Sequence, residues 1–251
     1  MERPAARPPH GPDEKGNPLL VPRYMYKDDF SSFLNTLREL PHVERRFSRG
    51  EYLWRPGDLI ERVHYIEEGV ARTSFINEDG RAKVLFYHGA GMVFPGCHES
   101  QFAIERSIVT EAMGPVRTLE FSRAEFLALA QADAAIGSAM FENYARYINL
   151  LIFETAHQER NEALVKLCNV LELLARDAAR GQVGGGGRRD AGCRIDCGQE
   201  DLAEILAMNR VSVARLMGKL AEAGVVATHR GWVEILDREA LLARCTGEVA
   251  V

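Results

Sequence analysis

GQEDLAEILAMNRVSVARLMGKLAEAGVV, from Gly198 to Val226, reads as two helices joined by a tight turn. In the first segment Leu202, Ala203 and Leu206 recur at helical spacing, and Ile205 widens the stripe. Glu200 and Asp201 place acid in the first turn, where it complements the helix dipole, and Gly198 and Gln199 lead into it. Ala207 to Asn209 form a short corner. Val213, Leu216, Met217 and Leu220 then carry an apolar stripe down a second helix that Gly224 ends. With both stripes turned inward, Arg210, Ser212, Arg215 and Lys219 remain on the solvent side of the second helix. Such a face enters a major groove, where arginine reads guanine edges bidentately and lysine or serine holds phosphates. An ordinary helical hairpin with a solvated basic face has the same spacing, so the neighbouring segments must decide between the two.

On the C-terminal side, VVATHRGWVEILD (Val225 to Asp237) predicts two short strands around Arg230-Gly231, a wing beside the helical pair. A helix-turn-helix with a β wing is far more specific to DNA binding than a helical hairpin alone. On the N-terminal side, Gly181 to Gly192 holds four glycines in a row, Gly184 to Gly187, followed by Arg188 and Arg189. That composition predicts an exposed flexible loop and marks a boundary. Before it, Asn161 to Arg180 is expected to be a helix that carries Leu164, Leu167, Cys168, Leu171 and Leu174 to the core.

A longer helix is expected from Ala134 to His157. Ile136, Met140, Tyr144, Tyr147, Leu151 and Thr155 recur at intervals of three and four, while Phe141, Ile148, Ile152 and Phe153 widen the stripe. A helix apolar on two sides must bury both, one against its own sandwich and the other against something else. A homodimer across this helix follows; packing within one chain alone is the alternative. Ser122 to Ala130 reads as a helix with Ser122 as N-cap and Glu125 three residues on, a capping box.

From Val43 to Phe121 the pattern changes to short apolar alternations cut by Gly, Pro and charged turns. Strands this short and evenly spaced predict an antiparallel sandwich or jelly roll. Glu78-Asp79-Gly80 supplies a hairpin turn, and Gly50, Gly57, Gly69, Gly89 and Gly91 stand where strands turn. Asp28 to Leu40 has an amphipathic helical pattern ended by Pro41. Residues 1–22 are rich in Pro, Arg and Gly with little to bury and are expected to be a disordered leader.

With 251 residues, 46% of them hydrophobic, the chain has room for two cores. A net charge of −5 argues against indiscriminate coating of nucleic acid, which needs a dominant basic field, but leaves room for local basic faces. No apolar run approaches the roughly 18 residues of a membrane span, and the amino terminus lacks a signal peptide's apolar core. A cytoplasmic protein without a membrane partner is expected. Five scattered cysteines, Cys97, Cys168, Cys193, Cys197 and Cys245, suit a reducing compartment.

The order of parts, β sandwich, long helix and winged helix-turn-helix, resembles the Crp/Fnr family of bacterial transcription regulators. RGEYLWRPGD (Arg49 to Asp58), HYIEEGVAR (His64 to Arg72) and GAGMVFPG (Gly89 to Gly96) look like that family's sensory-domain turns, and the resemblance runs from about Asp28 to Asp237. It implies an α+β fold: an N-terminal cyclic-nucleotide-binding-type β jelly roll, a long dimerisation helix and a C-terminal winged helix-turn-helix. The corresponding division is a leader at 1–22, an effector-sensing sandwich at 23–133, a dimerisation helix at 134–157 and a DNA-binding domain at 158–251. The resemblance further implies double-stranded operator DNA, a small-molecule effector, a second copy of the chain and RNA polymerase as partners, with no bound cofactor and no catalysis.

In the family's nucleotide-binding members, a glutamate after a glycine holds the ribose hydroxyl and a later Arg-Ser pair holds the cyclic phosphate. Arg106-Ser107 fits the phosphate half, but Gly96 stands ten positions before Arg106, with Pro95 where the glycine would be and Cys97 following. A glycine has no side-chain acceptor, and a buried unpaired hydroxyl costs about 1 to 3 kcal/mol. That weighs against cyclic AMP and leaves Arg106 for a carboxylate, phenolate or phosphate; a surface arginine on a strand is the alternative. By the family's arrangement Ile148 and Asn149 of the long helix come nearest the effector, with Arg146 and Tyr147 one turn away. Asn149 interrupts an apolar run and either reads a ligand or fixes the register of a helical dimer.

The recognition helix also departs from the family. Many members carry a glutamate before its Ser/Thr; here Val211 holds that place, between Arg210 and Ser212, and Arg215 retains the groove arginine. Val211 suits a thymine methyl, so a more A·T-rich half-site is expected. Together with the missing sensory glutamate, this looks like the branch that senses small organic anions such as halogenated phenols. Two rivals stand beside this reading. Cys193 and Cys197 offer a thiol switch on the same scaffold, although two ligands fall short of a structural zinc's four and no cysteine precedes Cys97 for an iron-sulfur cluster. A β-sandwich enzyme with an accessory helical domain would need converging histidines and acids, and His88 and His98 lack the tight spacing of a metal pair.

Overall fold

The computed structural model describes residues 23–55, 58, 61–76, 80, 82–95, 108–158, 162–181 and 193–245. The expected leader, the Glu78-Asp79 part of the hairpin turn, Gly57, His98 and the loop beyond Gly181 lie outside them. The chain forms two compact units, one built on Tyr24–Ala145 with Glu200–Arg210, the other on Arg146–Gln199 with Val211–Val251.

The first unit contains two sheets. β1 (Met25–Tyr26), β3 (Tyr52–Trp54), β5 (Ala71–Ile76), β6 (Ala82–His88) and β8 (Ile108–Ala112) form one, in the order β1-β6-β5-β8-β3. β2 (His42–Phe47), β4 (Arg62–Glu68), β7 (Met92–Phe94) and β9 (Val116–Ser122) form the other, in the order β2-β9-β4-β7. The pairing is antiparallel as expected, apart from β1, which runs parallel to β6. Ile66, Ala71, Phe94, Ala112 and Val116 form a core cluster against which Phe47 and Leu53 pack. Only a glycine fits the β4–β5 turn: Gly69 has φ +89°, and a Cβ there would lie 2.3 Å from the Pro115 carbonyl oxygen.

The middle of the sandwich is polar and aromatic. The Phe94 ring stacks with His64 (5.5 Å between centroids) and with His88 (4.7 Å). Strands of both sheets hold the histidines: His64 Nδ1 lies 3.2 Å from Thr118 Oγ1, His88 Nε2 lies 3.2 Å from Thr73 Oγ1, and Thr73 and Thr110 share a hydrogen bond of 2.9 Å. Burial pushes His64 down to about 4 and His88 to about 3, so both rings are neutral at pH 7.

The helix expected over residues 28–40 is shorter than its pattern. Asp28 takes φ +64°, and the amides of Asp28 and Phe30 donate to the carbonyls of Ala90 and Gly91 (3.0 and 2.8 Å), so these residues bind a turn instead of starting a helix. A 3-10 turn at Ser31–Phe33 leads into α1 (Leu34–Glu39), and Leu40 is extended ahead of Pro41. Ser122 caps α2 (Arg123–Ala132) by accepting from the Glu125 amide, and α2 packs on β9 and β4.

α3 (Ala134–Gln158) begins at Asp133, whose carboxylate accepts from the amides of Ala135 and Ile136. Ile136, Asn143 and Leu150 are buried at seven-residue intervals, while Phe141, Ile148, Leu151 and Ile152 are more than half exposed on the other side. The helix therefore has two faces, although Leu151 belongs with the open one. In the second unit, α4 (Ala163–Gly181) packs against α7 (Arg238–Cys245) and β10 (Cys193–Ile195). That double cover buries Val165, Val170 and Leu173 as well as Leu167, Cys168 and Leu171, and leaves Leu164 and Leu174 half-buried. Glu172, fully buried on α4, pairs with Arg176 (2.6 Å) and with Arg238 of α7 (2.7 Å).

Candidate nucleic-acid interface and sensory residues

α5 (Gln199–Leu206) buries Leu202, Ala203 and Ile205, and the corner is made at Ala207, whose φ is +52°. α6 (Arg210–Glu222) buries Val213, Leu216, Met217 and Leu220 at helical spacing. Its end follows from Gly224 at φ +70°: the Gly224 amide donates to Ala221 O and the Val225 amide to Leu220 O, a Schellman cap that satisfies the last carbonyls.

The opposite side of α6 is open. Val211 is 80% exposed, and Arg215, Gly218 and Lys219 share its exposed face at intervals of three and four. Nothing lies within 4 Å of where a Gly218 Cβ would stand. Arg210 is exposed, with its guanidinium 4.0 Å from the Glu200 carboxylate, and Ser212 is half-buried. Among the described residues, neither Arg215 nor Lys219 forms an ion pair. An exposed apolar side chain between guanidinium and ammonium groups is what reading thymine methyls, guanine edges and phosphates requires.

β11 (Val226–His229) and β12 (Trp232–Ile235) form the expected wing, turning at Gly231 with φ +85°. β10 adds a third strand on β12, which the sequence reading missed because three residues show no alternation. The wing is stiffened by stacking: His229 lies flat on Trp232 with centroids 3.7 Å apart, and the Arg194 guanidinium sits over the Trp232 ring at 4.4 Å. Arg230 is exposed in the turn.

Of the expected effector residues, Gly96, Cys97, Arg106 and Ser107 lie outside the described residues. Arg146, Tyr147 and Asn149 are on α3 and are half-buried. Among the described residues of α3 the buried polar one is Asn143, not Asn149, and its Oδ1 has no hydrogen-bond partner among the described residues. Its signal was available: residues 136, 143 and 150 share one heptad position, and only the middle one is polar. Cys193 and Cys197 are not joined in a disulfide; the Cys193 thiol donates to the Ala175 carbonyl and is pushed up by burial, away from the thiolate that a redox switch uses. Among the described residues, no helix is long and apolar enough to cross a membrane, and no group of three or more His, Cys, Asp or Glu is placed to hold a metal.

Comparison with known proteins assigns both halves. Residues 44–133 match the cyclic nucleotide-binding domain and residues 165–244 the Crp-like helix-turn-helix domain. The nitrogen fixation regulation protein FixK of Rhizobium meliloti is 27% identical over 210 residues, 82% of this chain and 88% of that one. The transcriptional regulator LdrP of Thermus thermophilus is 26% identical over 204 residues, 78% of this chain and 94% of its own. A CooA variant from Carboxydothermus hydrogenoformans has the same fold, with a TM-score of 0.70 at 19% identity, over 86% of this chain and 98% of that one.

Proposed function

The chain belongs to the Crp/Fnr family of transcription regulators, and on that premise we propose that it is a homodimer that reads an inverted-repeat operator and answers to a small organic anion. In this reading residues 23–133 sense the effector, 134–157 hold the dimer and 158–251 read DNA, with RNA polymerase as a further partner in the cytoplasm. The observation that carries it is the uncovered face of α6, where Val211, Arg215 and Lys219 stand clear of their own chain. Arg215 takes a guanine edge, Val211 a thymine methyl, and Arg210, Ser212 and Lys219 hold phosphates. Two-fold symmetry spaces the half-sites about one helical turn apart. Gly96 removes the acceptor a ribose hydroxyl needs, which favours an anion such as a halogenated phenol over a cyclic nucleotide.

Arg215→Ala is expected to weaken operator binding by about 1 to 3 kcal/mol and to leave the melting temperature unchanged. Titration of a labelled operator duplex checks it, and an affinity equal to the parent's would remove α6 from the groove. Four apolar side chains of α3, Phe141, Ile148, Leu151 and Ile152, are too exposed for a helix in water and fit a second copy. The pair Ile148→Glu and Ile152→Glu is expected to raise the dimer dissociation constant at least about a hundredfold, since each buried isoleucine contributes about 1.5 to 3 kcal/mol. Analytical ultracentrifugation reads the result; a variant that remains dimeric places the interface elsewhere.

A further inference from the structure

We propose that the turn end of the sandwich carries a second recognition site, a cleft that takes an acidic peptide segment of a protein partner, with an apolar side chain between its carboxylates. The cleft has a volume of about 500 Å³ and lies where β2 leaves its sheet beside the β8–β9 turn. Its floor is Phe47 and Val116. Val116 belongs to the core cluster and Phe47 packs on it, so the floor is rigid and already formed. Gly69 pressed against Pro115 fixes the adjoining turn in the same way.

Three arginines, Arg46, Arg49 and Arg117, and one acid, Glu68, line the rim. Antiparallel register sets Arg46 opposite Arg117 and Phe47 opposite Val116, which puts two arginines at facing positions of paired strands. Like charges in that position cost stability and ask for a counter-charge. Arg117 has one: Glu67 and Glu68 hold it at 2.8 and 2.7 Å. Arg46 and Arg49, both exposed on the same rim, form no ion pair among the described residues, although Arg46 lies within the electrostatic reach of Glu68. Two guanidinium forks over an apolar floor fit carboxylates flanking an apolar side chain.

The shape decides the class of occupant. Small-molecule sites enclose roughly 70 to 90% of their ligand, whereas Arg46, Ser48, Arg49 and Pro115 leave this cleft open to solvent along its rim. A peptide lying across it gains contacts beyond the rim. A DNA duplex, about 20 Å across, is too broad for a concavity of this volume.

The test is fluorescence anisotropy of the full-length protein with a short labelled peptide in which Leu-Phe is flanked by Asp and Glu. Saturable binding that weakens at least about tenfold in the Arg46→Glu, Arg49→Glu double variant is the expected result, about 1.4 kcal/mol. Circular dichroism checks the fold of that variant, and the pair Arg46→Gln, Arg49→Gln replaces it if the charge reversal unfolds the chain. No saturable binding, or equal binding by parent and variant, overturns the proposal. So does displacement of the peptide by benzoate, which would make the cleft a small-anion site, or by a duplex lacking the operator, which would make it a nucleic-acid surface.

Discussion

Lowering the pH from 7 to 5 is expected to remove about 4 kcal/mol of unfolding free energy through His64 and His88 alone. Both rings are held neutral inside the sandwich by burial, His64 at about 4 and His88 at about 3, against about 6.5 in the unfolded chain. A folded value below the unfolded one means that the unfolded chain takes up protons first. The stabilisation is therefore complete above pH 6.5 and falls away as the pH drops towards 4 and then 3. At pH 5 each unfolded imidazole is protonated while each folded one is not, which costs about 2 kcal/mol per ring. The charges around His64 come from Glu120, which favours the imidazolium, and from Arg45 and Arg62, which oppose it; desolvation outweighs all three. Chemical denaturation at the two pH values measures the difference, and His88→Gln is expected to halve it. A stability that stays level from pH 7 to 5 would mean that these rings are not closed off from water.

Glu172→Ala is expected to destabilise the chain by about 3 to 5 kcal/mol, the range for breaking a buried ion pair from one side. The carboxylate is 1% exposed and is the anchor for two guanidiniums, Arg176 one turn along α4 and Arg238 at the first position of α7. Arg238 binds it with two nitrogens, Nη2 at 2.7 Å and Nε at 3.2 Å. Burial by itself raises the Glu172 carboxyl, but the hydrogen bonds and positive charges of Arg238 and Arg176 together outweigh burial and hold it below its ordinary value. The contribution is thus present at neutral pH and is lost as the pH falls through that lowered value. Alanine leaves both guanidiniums without their acceptor beside the α4–α7 contact. Denaturant titration reads the loss; a change within about 0.5 kcal/mol would show that the two arginines reach water without cost.

What the residues announced by themselves was local. Leu202, Ile205, Val213, Leu216 and Leu220 mark two helices by spacing within single elements, Gly224 ends the second, and Ser122 with Glu125 caps α2 three residues apart. Strand alternation and the turn glycines likewise indicated the sandwich, because register within one strand depends only on near neighbours. The remainder joins residues far apart in the chain. Phe94 stacked with His64 and His88, Glu172 held by Arg238 and Arg46 opposite Arg117 depend on which strand or helix lies beside which. The same holds for Asn143. Periodicity located both faces of α3 but not which one the chain covers, so a polar residue in the covered face went unread while Asn149 drew attention. Side-chain spacing fixes an element's type and its stripes; only the packing of elements on one another settles which stripe is desolvated and which charges meet.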